Sequence, residues 1–314
     1  MARKRPKGVL SMGWAVIEAA AAGRTEHVPT SADYPDTVVR RLHFHAGAGL
    51  GWKISALTTP RAKTAPWKIV VVTGAPSWAE YWAPVLAALP QDREMIVVDR
   101  PGYAGSEPVE YVGDIHVQAR ALAPLLEARF GQKVLLVGQS YGAAIASLMA
   151  AENPRKVAGL VLLSGYFGES GPTARWLLDV GSRLLKIIPR DLRHAVMEVT
   201  NQPTQLDGMR AALARLRVPV HVVHGDKDDF APIEIAERLV SETRTRRPMR
   251  FERVPGATHF MNEGPTEPLL QHIEACIPRP FVFKLPRIPG LPKLPSFGWF
   301  KPRAERQRQT AAPA

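Results

Sequence analysis

Cysteine is almost missing from this 314-residue chain: Cys276 stands alone, so no intrachain disulfide can form. That usage fits a reducing compartment and a cytoplasmic protein, and Cys276, late in an expected helix, reads as a packing residue. Long apolar runs are missing too. Residues 8–22 combine a basic approach, an apolar stretch and small residues in the manner of a secretory leader. Glu18 breaks that stretch and Arg24 and Glu26 follow it, so a short helix is the better reading; the segment is too short to span a bilayer. Acidic side chains are scarce at both ends. Arg3, Lys4, Arg5 and Lys7 have no acid among them, and residues 279–314 hold eight basic side chains against Glu305. The net charge of +12 is thereby located: +4 in the arm, +7 in the tail and +1 across residues 8–278. A near-neutral body excludes a nucleic-acid-binding face spread over the fold.

What is present is a regular alternation. Lys68–Thr73, Glu94–Asp99, Lys133–Val137, Val157–Ser164, Pro219–His224 and Met249–Val254 read as strands. Helical patterns fall between or after them at Ala79–Leu89, Ile115–Phe130, Tyr141–Asn153, Ile233–Thr243 and Thr266–Cys276. Val38–Ala46 and Lys53–Thr59 read as a hairpin. This order predicts an α/β fold, a mostly parallel central sheet with helices on both faces. His43 and His45 share a strand face, but no third metal ligand lies near, so a plain strand face is the reading. The expected organisation is a basic arm and helix over 1–34, a folded domain over 35–277 and a Pro-rich basic tail over 278–314. Between Ser164 and Pro219 the patterns are helical only (Thr173–Ile188, Asp191–Thr200, Leu206–Arg215), which predicts a small lid at about 165–217. Its Trp176, Leu177, Leu184, Leu185, Ile187, Ile188 and Met197 could line a pocket, ordinary packing being the competing reading for each.

The chemistry gathers around Val134-Leu135-Leu136-Val137-Gly138-Gln139-Ser140-Tyr141-Gly142. A buried strand runs into Gly-x-Ser-x-Gly and a helix follows, so Ser140 sits at the apex of a tight turn above a helix N-terminus. A serine hydroxyl needs a base, and the base needs a carboxylate to orient it. His259 follows the last expected strand. Asp226, Asp228 and Asp229 follow the strand before it, and spacing from Gly225 favours Asp228, with Asp226 and Asp229 as turn-formers. His221 and His224 read as structural strand residues.

Four motifs in order carry a resemblance: Thr73-Gly74-Ala75-Pro76, Asp99-Arg100-Pro101-Gly102-Tyr103-Ala104-Gly105-Ser106, Gly138-Gln139-Ser140-Tyr141-Gly142, and the Asp228 and His259 loops. From about Val38 to Cys276 the chain resembles the α/β-hydrolase fold superfamily. The resemblance implies Ser140 as nucleophile, His259 as base, Asp228 as its partner, and the backbone N–H groups of Ala75 and Tyr141 as oxyanion donors. It implies no cofactor and no metal. A serine at this position separates the chain from the haloalkane dehalogenases and epoxide hydrolases, which need aspartate. The first motif usually begins His-Gly where Thr73-Gly74 stands, which implies altered packing of that loop. Gln139 replaces the histidine usual before the nucleophile.

The expected function is therefore hydrolysis of a small-molecule ester or related acyl compound, with amide, thioester and carbon–carbon bonds open to the same residues. A catalytically weak relative that binds a ligand, partner or membrane is the alternative. The tail from Pro278 to Pro302 alternates prolines, aromatics and basic residues, and with the basic arm it would suit peripheral contact with an anionic membrane. A tail wrapped on the protein's own surface, or a disordered one, is the plainer reading.

Overall fold

The structure is a computed structural model and describes residues 39–59, 65–129 and 131–276; the arm, the expected helix at 8–22 and the tail lie outside the described residues. The chain divides into Met1–Pro278 and Arg279–Ala314, and every described residue belongs to the first unit.

Eight strands form one sheet: β1 (Arg40–His45), β2 (Lys53–Thr58), β3 (Trp67–Val72), β4 (Arg93–Val98), β5 (Lys133–Gln139), β6 (Val157–Leu163), β7 (Val220–Gly225) and β8 (Arg250–Val254). Their spatial order is β1-β2-β4-β3-β5-β6-β7-β8. The β1–β2 and β2–β4 pairs are antiparallel and the rest parallel. Continuous apolar strands are required because both faces are covered. In β3, Val70 and Val72 join one core and Ile69 and Val71 the other; in β5, Val134 and Leu136 oppose Leu135 and Val137 in the same way.

The helices are α1 (Ala83–Ala87), α2 (Ile115–Leu122), α3 (Gly142–Glu152), α4 (Pro172–Arg183), α5 (Arg190–Asn201), α6 (Leu206–Arg215), α7 (Ile233–Glu242) and α8 (Thr266–Glu274). Two of the sequence patterns are broken by 3₁₀ turns. Pro124 lacks the N–H that would continue α2, and residues Ala123–Leu126 tighten into a 3₁₀ turn. A 3₁₀ turn at Ala79–Trp82 likewise precedes α1, whose second residue is Pro84. Cys276 is buried beside the Leu160 and Pro219 carbonyls, and burial pushes its thiol up to about 11.

Strand order reverses at β3, flanked by β4 on one side and β5 on the other. The loops leaving β3 and β5 therefore open a crevice at the carboxyl edge, where such sheets bind ligands. Of the expected lid, α6 is an ordinary crossover helix: Met209, Ala212 and Leu213 are fully buried in the core that also contains α3. Only α4 and α5 are left as a cover. The start of α4 is tied to the loop after β7 by Gly171 N–H on Phe230 O (2.7 Å) and Thr173 Oγ1 on Asp229 Oδ2 (2.5 Å).

Candidate active site

Ser140 has φ +50°, a left-handed conformation that costs a non-glycine residue about 1–2 kcal/mol. Its backbone holds it there: Ser140 N–H donates to Leu163 O (3.0 Å), and Ser140 O accepts from Ala143 N–H (3.0 Å) and Tyr166 N–H (3.1 Å). The flanking glycines are required by contact. A Cβ on Gly138 would lie 2.6 Å from Ala143 Cα, and one on Gly142 2.2 Å from Val72 O. The turn thus lifts the hydroxyl clear of β5 and over the N-terminus of α3.

His259 Nε2 lies 3.0 Å from Ser140 Oγ, and His259 Nδ1 lies 2.8 Å from Asp228 Oδ2. A carboxylate only accepts, so Nδ1 carries the hydrogen and Nε2 is free to accept from the hydroxyl. The imidazole is nearly buried, stacked on Phe230 (5.3 Å, 19°) and met edge-on by Phe260 (5.2 Å, 89°). The acid and base loops are zipped together by Lys227 N–H on Ala257 O (2.9 Å), Asp226 N–H on Val254 O (3.2 Å) and Gly256 N–H on Asp226 Oδ1 (2.7 Å).

The three aspartates divide differently from the sequence expectation. Asp228 forms the turn itself, its Oδ1 accepting from Phe230 N–H (3.0 Å) and Ala231 N–H (2.8 Å) while Oδ2 faces His259. Asp226 lies in the turn closed by Asp228 N–H on Gly225 O (3.4 Å), as a turn-former would, and its side chain also ties the two loops, while the Asp229 side chain ties α4. His224, read as structural, also lies 3.1 Å from Asp228 Oδ2 through Nε2, which shares its hydrogen with Ala231 O at 2.8 Å. Burial alone would raise the Asp228 carboxyl. The His259 charge and hydrogen bonds from His224, His259 and Ala231 outweigh it and hold the group well below the usual carboxylate range.

Ala75 and Tyr141 lie beside the serine. A Cβ on Gly74 would approach Ser140 Cβ to 2.9 Å, and Tyr141 is the N-cap of α3. Neither N–H donates to a backbone acceptor in a loop or turn among the described residues.

Two residues without a sequence-assigned role organise this corner. Arg100, fully buried, donates from Nε to Thr73 O (2.9 Å) and from Nη2 to Gly74 O (2.7 Å). Its guanidinium lies over the Tyr103 and Tyr141 rings, 4.8 and 4.9 Å from their centroids. Glu198 of α5 accepts from Nη1 and Nη2 in two 2.7 Å contacts, Gln118 Oε1 accepts from Nη1 (2.8 Å), and Glu198 also accepts from Tyr103 OH (2.5 Å) and Gln118 Nε2 (2.8 Å). Burial opposes the arginine's charge, but Glu198 more than offsets it. Gln139 is the second: Trp82 Nε1 donates to its Oε1 (2.8 Å) and its Nε2 donates to Asn262 Oδ1 (2.6 Å). The elbow is thus bound to the segments following the Ala75 and His259 loops. Thr73 Oγ1 bonds to Ser77 and, at 3.0 Å, to Val98 O, which closes the first loop where a histidine is usual. The sequence held one signal for Arg100: a charge between an apolar strand and a tight turn.

A family model described as alpha/beta hydrolase fold matches residues 68–195. A 2-hydroxy-6-oxononadienedioate/2-hydroxy-6-oxononatrienedioate hydrolase of Burkholderia vietnamiensis is 26% identical over 207 residues, which cover 53% of this chain and 71% of that enzyme. A thermophilic esterase from Thermogutta terrifontis superposes with a TM-score of 0.58 at 20% identity, over 75% of this chain and 97% of the esterase. A 2-hydroxy-6-oxo-6-phenylhexa-2,4-dienoate hydrolase from Rhodococcus gives 0.59 at 16% identity, over 76% and 99%. At such identities the two solved structures speak for the fold alone.

Proposed function

The chain belongs to the α/β-hydrolase fold superfamily, and from that premise we propose that it is a serine hydrolase cleaving an ester through an acyl-enzyme. One observation carries the reading: Ser140 Oγ, His259 and Asp228 form a continuous hydrogen-bonded line across three strand-end loops, at 3.0 and 2.8 Å.

In this mechanism Ser140 Oγ attacks the carbonyl carbon as its proton passes to His259 Nε2. Asp228, ionised throughout, stabilises the imidazolium and fixes its tautomer. The carbonyl oxygen, now an anion, accepts from the Ala75 and Tyr141 N–H groups; losing one such donor costs about 10²–10³ in kcat. Collapse expels the alcohol, which takes the proton from His259. Water then attacks the acyl-enzyme by the same route and regenerates Ser140. The ordering of Ala75 by Arg100 belongs to the ground-state fold, so the donors need no rearrangement when charge develops.

A second reading is hydrolysis of a carbon–carbon bond beside a ketone. The Burkholderia relative's named substrate contains no ester or amide, so its hydrolysis must break such a bond. A dianionic substrate of that kind asks for an uncommitted cation. Arg100, the cation beside the elbow, is engaged by Glu198 and Gln118 and so is not free for such a substrate, which favours the ester.

The experiment is turnover of short- and medium-chain nitrophenyl esters and of a 2-hydroxy-6-oxo-dienoate by wild type and Ser140→Ala. Ester hydrolysis lost in the variant supports the leading reading. Turnover of the dienoate alone moves the assignment to the second, and turnover of neither by wild type overturns both.

A further inference from the structure

Four large apolar side chains stand exposed among the described residues, and three of them share one stretch: Trp176 at 49%, Leu184 at 39% and Ile187 at 76%. Ordinary packing, the plainer reading for each, does not hold for these three. α4 ends at Arg183 with Leu184 as its C-cap, and bonds from Leu184 N–H to Gly181 O and from Ile187 N–H and Ile188 N–H to Leu184 O form the turn after it. Trp176 and Val180 share one face of α4 at i, i+4 spacing, and the exposed Leu184 and Ile187 continue from its C-cap into the turn after it. The other side of α4 meets α5, where a Cβ on Gly181 would lie 2.7 Å from Val196. No residue of α4 is fully buried. Singly scattered apolar residues are ordinary, but a group of them on one helix and the turn after it marks an interaction surface.

The charge around these residues is predominantly basic. Residues 172–193 contain Arg175, Arg183, Lys186, Arg190 and Arg193 against Asp179 and Asp191. Arg183 pairs with Asp179 and Arg190 with Asp191, while Arg175, Lys186 and Arg193 have no ion-pair partner among the described residues. We propose that α4 and the turn after it dock on an anionic lipid bilayer. Trp176, Leu184 and Ile187 enter the headgroup boundary and the unpaired cations meet lipid phosphates. Charge selects this occupant. The C-terminal tail carries +7, and a second copy would bring the same basic surface, so both would meet like charge. Because α4 begins on the loop that carries Asp228, docking sets the bilayer beside the Ser140 crevice.

The test uses the full chain sedimented with phosphatidylcholine vesicles and with mixed phosphatidylcholine–phosphatidylglycerol vesicles. Wild type is expected to partition onto the mixed vesicles and not the neutral ones. Each basic residue near such a surface is worth about fivefold in partition, so Lys186→Glu should lower it by roughly tenfold or more. Ile187→Asp should lower it comparably, with an unchanged thermal midpoint in both variants because both sites are exposed. Variants that partition like wild type, or a wild type indifferent to phosphatidylglycerol, overturn the proposal. So does a wild-type dimer, seen by light scattering, that Ile187→Asp converts to monomer without effect on vesicles. Turnover of a soluble ester is read separately and bears only on the hydrolase assignment.

Discussion

Removing Glu198 tests whether the cover helix α5 holds the oxyanion loop in place. The side chains of Arg100 and Glu198 are 0% and 1% exposed, and Glu198→Ala strands a guanidinium in the core. An unpaired buried charge costs about 3–5 kcal/mol, a large part of the roughly 5–15 kcal/mol that keeps a domain folded. A fall in Tm of roughly 10 °C follows. The catalytic consequence is separable. Arg100, drawn off its fork, no longer fixes Thr73 O and Gly74 O, and Ala75 N–H shifts relative to Ser140. A donor displaced rather than deleted should lower kcat by about tenfold to 10², with KM less changed. The double variant Arg100→Met/Glu198→Leu sharpens the test, because replacing a buried pair with apolar residues often restores stability. With the stranded charge gone but Thr73 O, Gly74 O and Tyr103 OH left without these partners, it should recover part of the lost Tm and still show kcat reduced by about 10², measured with nitrophenyl esters. A stable double variant with wild-type kcat would refute the bracing role and leave Arg100 as packing.

Further expectations concern the reacting groups and their frame. Asp228→Asn should lower kcat by about 10⁴ because the amide favours the wrong His259 tautomer, whereas Asp226→Asn loosens only a loop tie; equal losses would move the acid. Asp228 has a folded pKa below its unfolded one, so its stabilising contribution is complete above about pH 4 and is lost only as pH falls further. Its carboxyl ¹³C shift should stay that of the ionised form at and below that pH, and a midpoint near about 4 contradicts the assigned environment. Gly142→Ala sets a Cβ 2.2 Å from the Val72 carbonyl and should prevent stable folding, seen as lost cooperative unfolding. Gln139→Ala leaves Trp82 Nε1 and Asn262 Oδ1 unpartnered and should lower stability by about 1–3 kcal/mol per orphaned group in urea titration.

The sheet was legible because its strands are buried on both faces: β3, β5 and β6 are apolar at every central position. Ser140, Asp228 and His259 were legible because each follows such a strand at a turn. The sequence could not show which oxygen of Asp228 faces the base, or that His224 shares it, since both depend on loop geometry rather than spacing. The Arg100–Glu198 pair spans 98 positions and leaves no periodic trace. The cover was overdrawn for a related reason. The pattern of α6 is as helical as that of α4, and only packing against α3 distinguishes a crossover helix from a lid.

The most direct measurement is labelling of the full chain with a fluorophosphonate, followed by mapping of the modified peptide by mass spectrometry. The account predicts one adduct, on Ser140, absent in Ser140→Ala and formed far more slowly in His259→Ala. An unlabelled wild type, or an adduct on another residue that persists in Ser140→Ala, would contradict it.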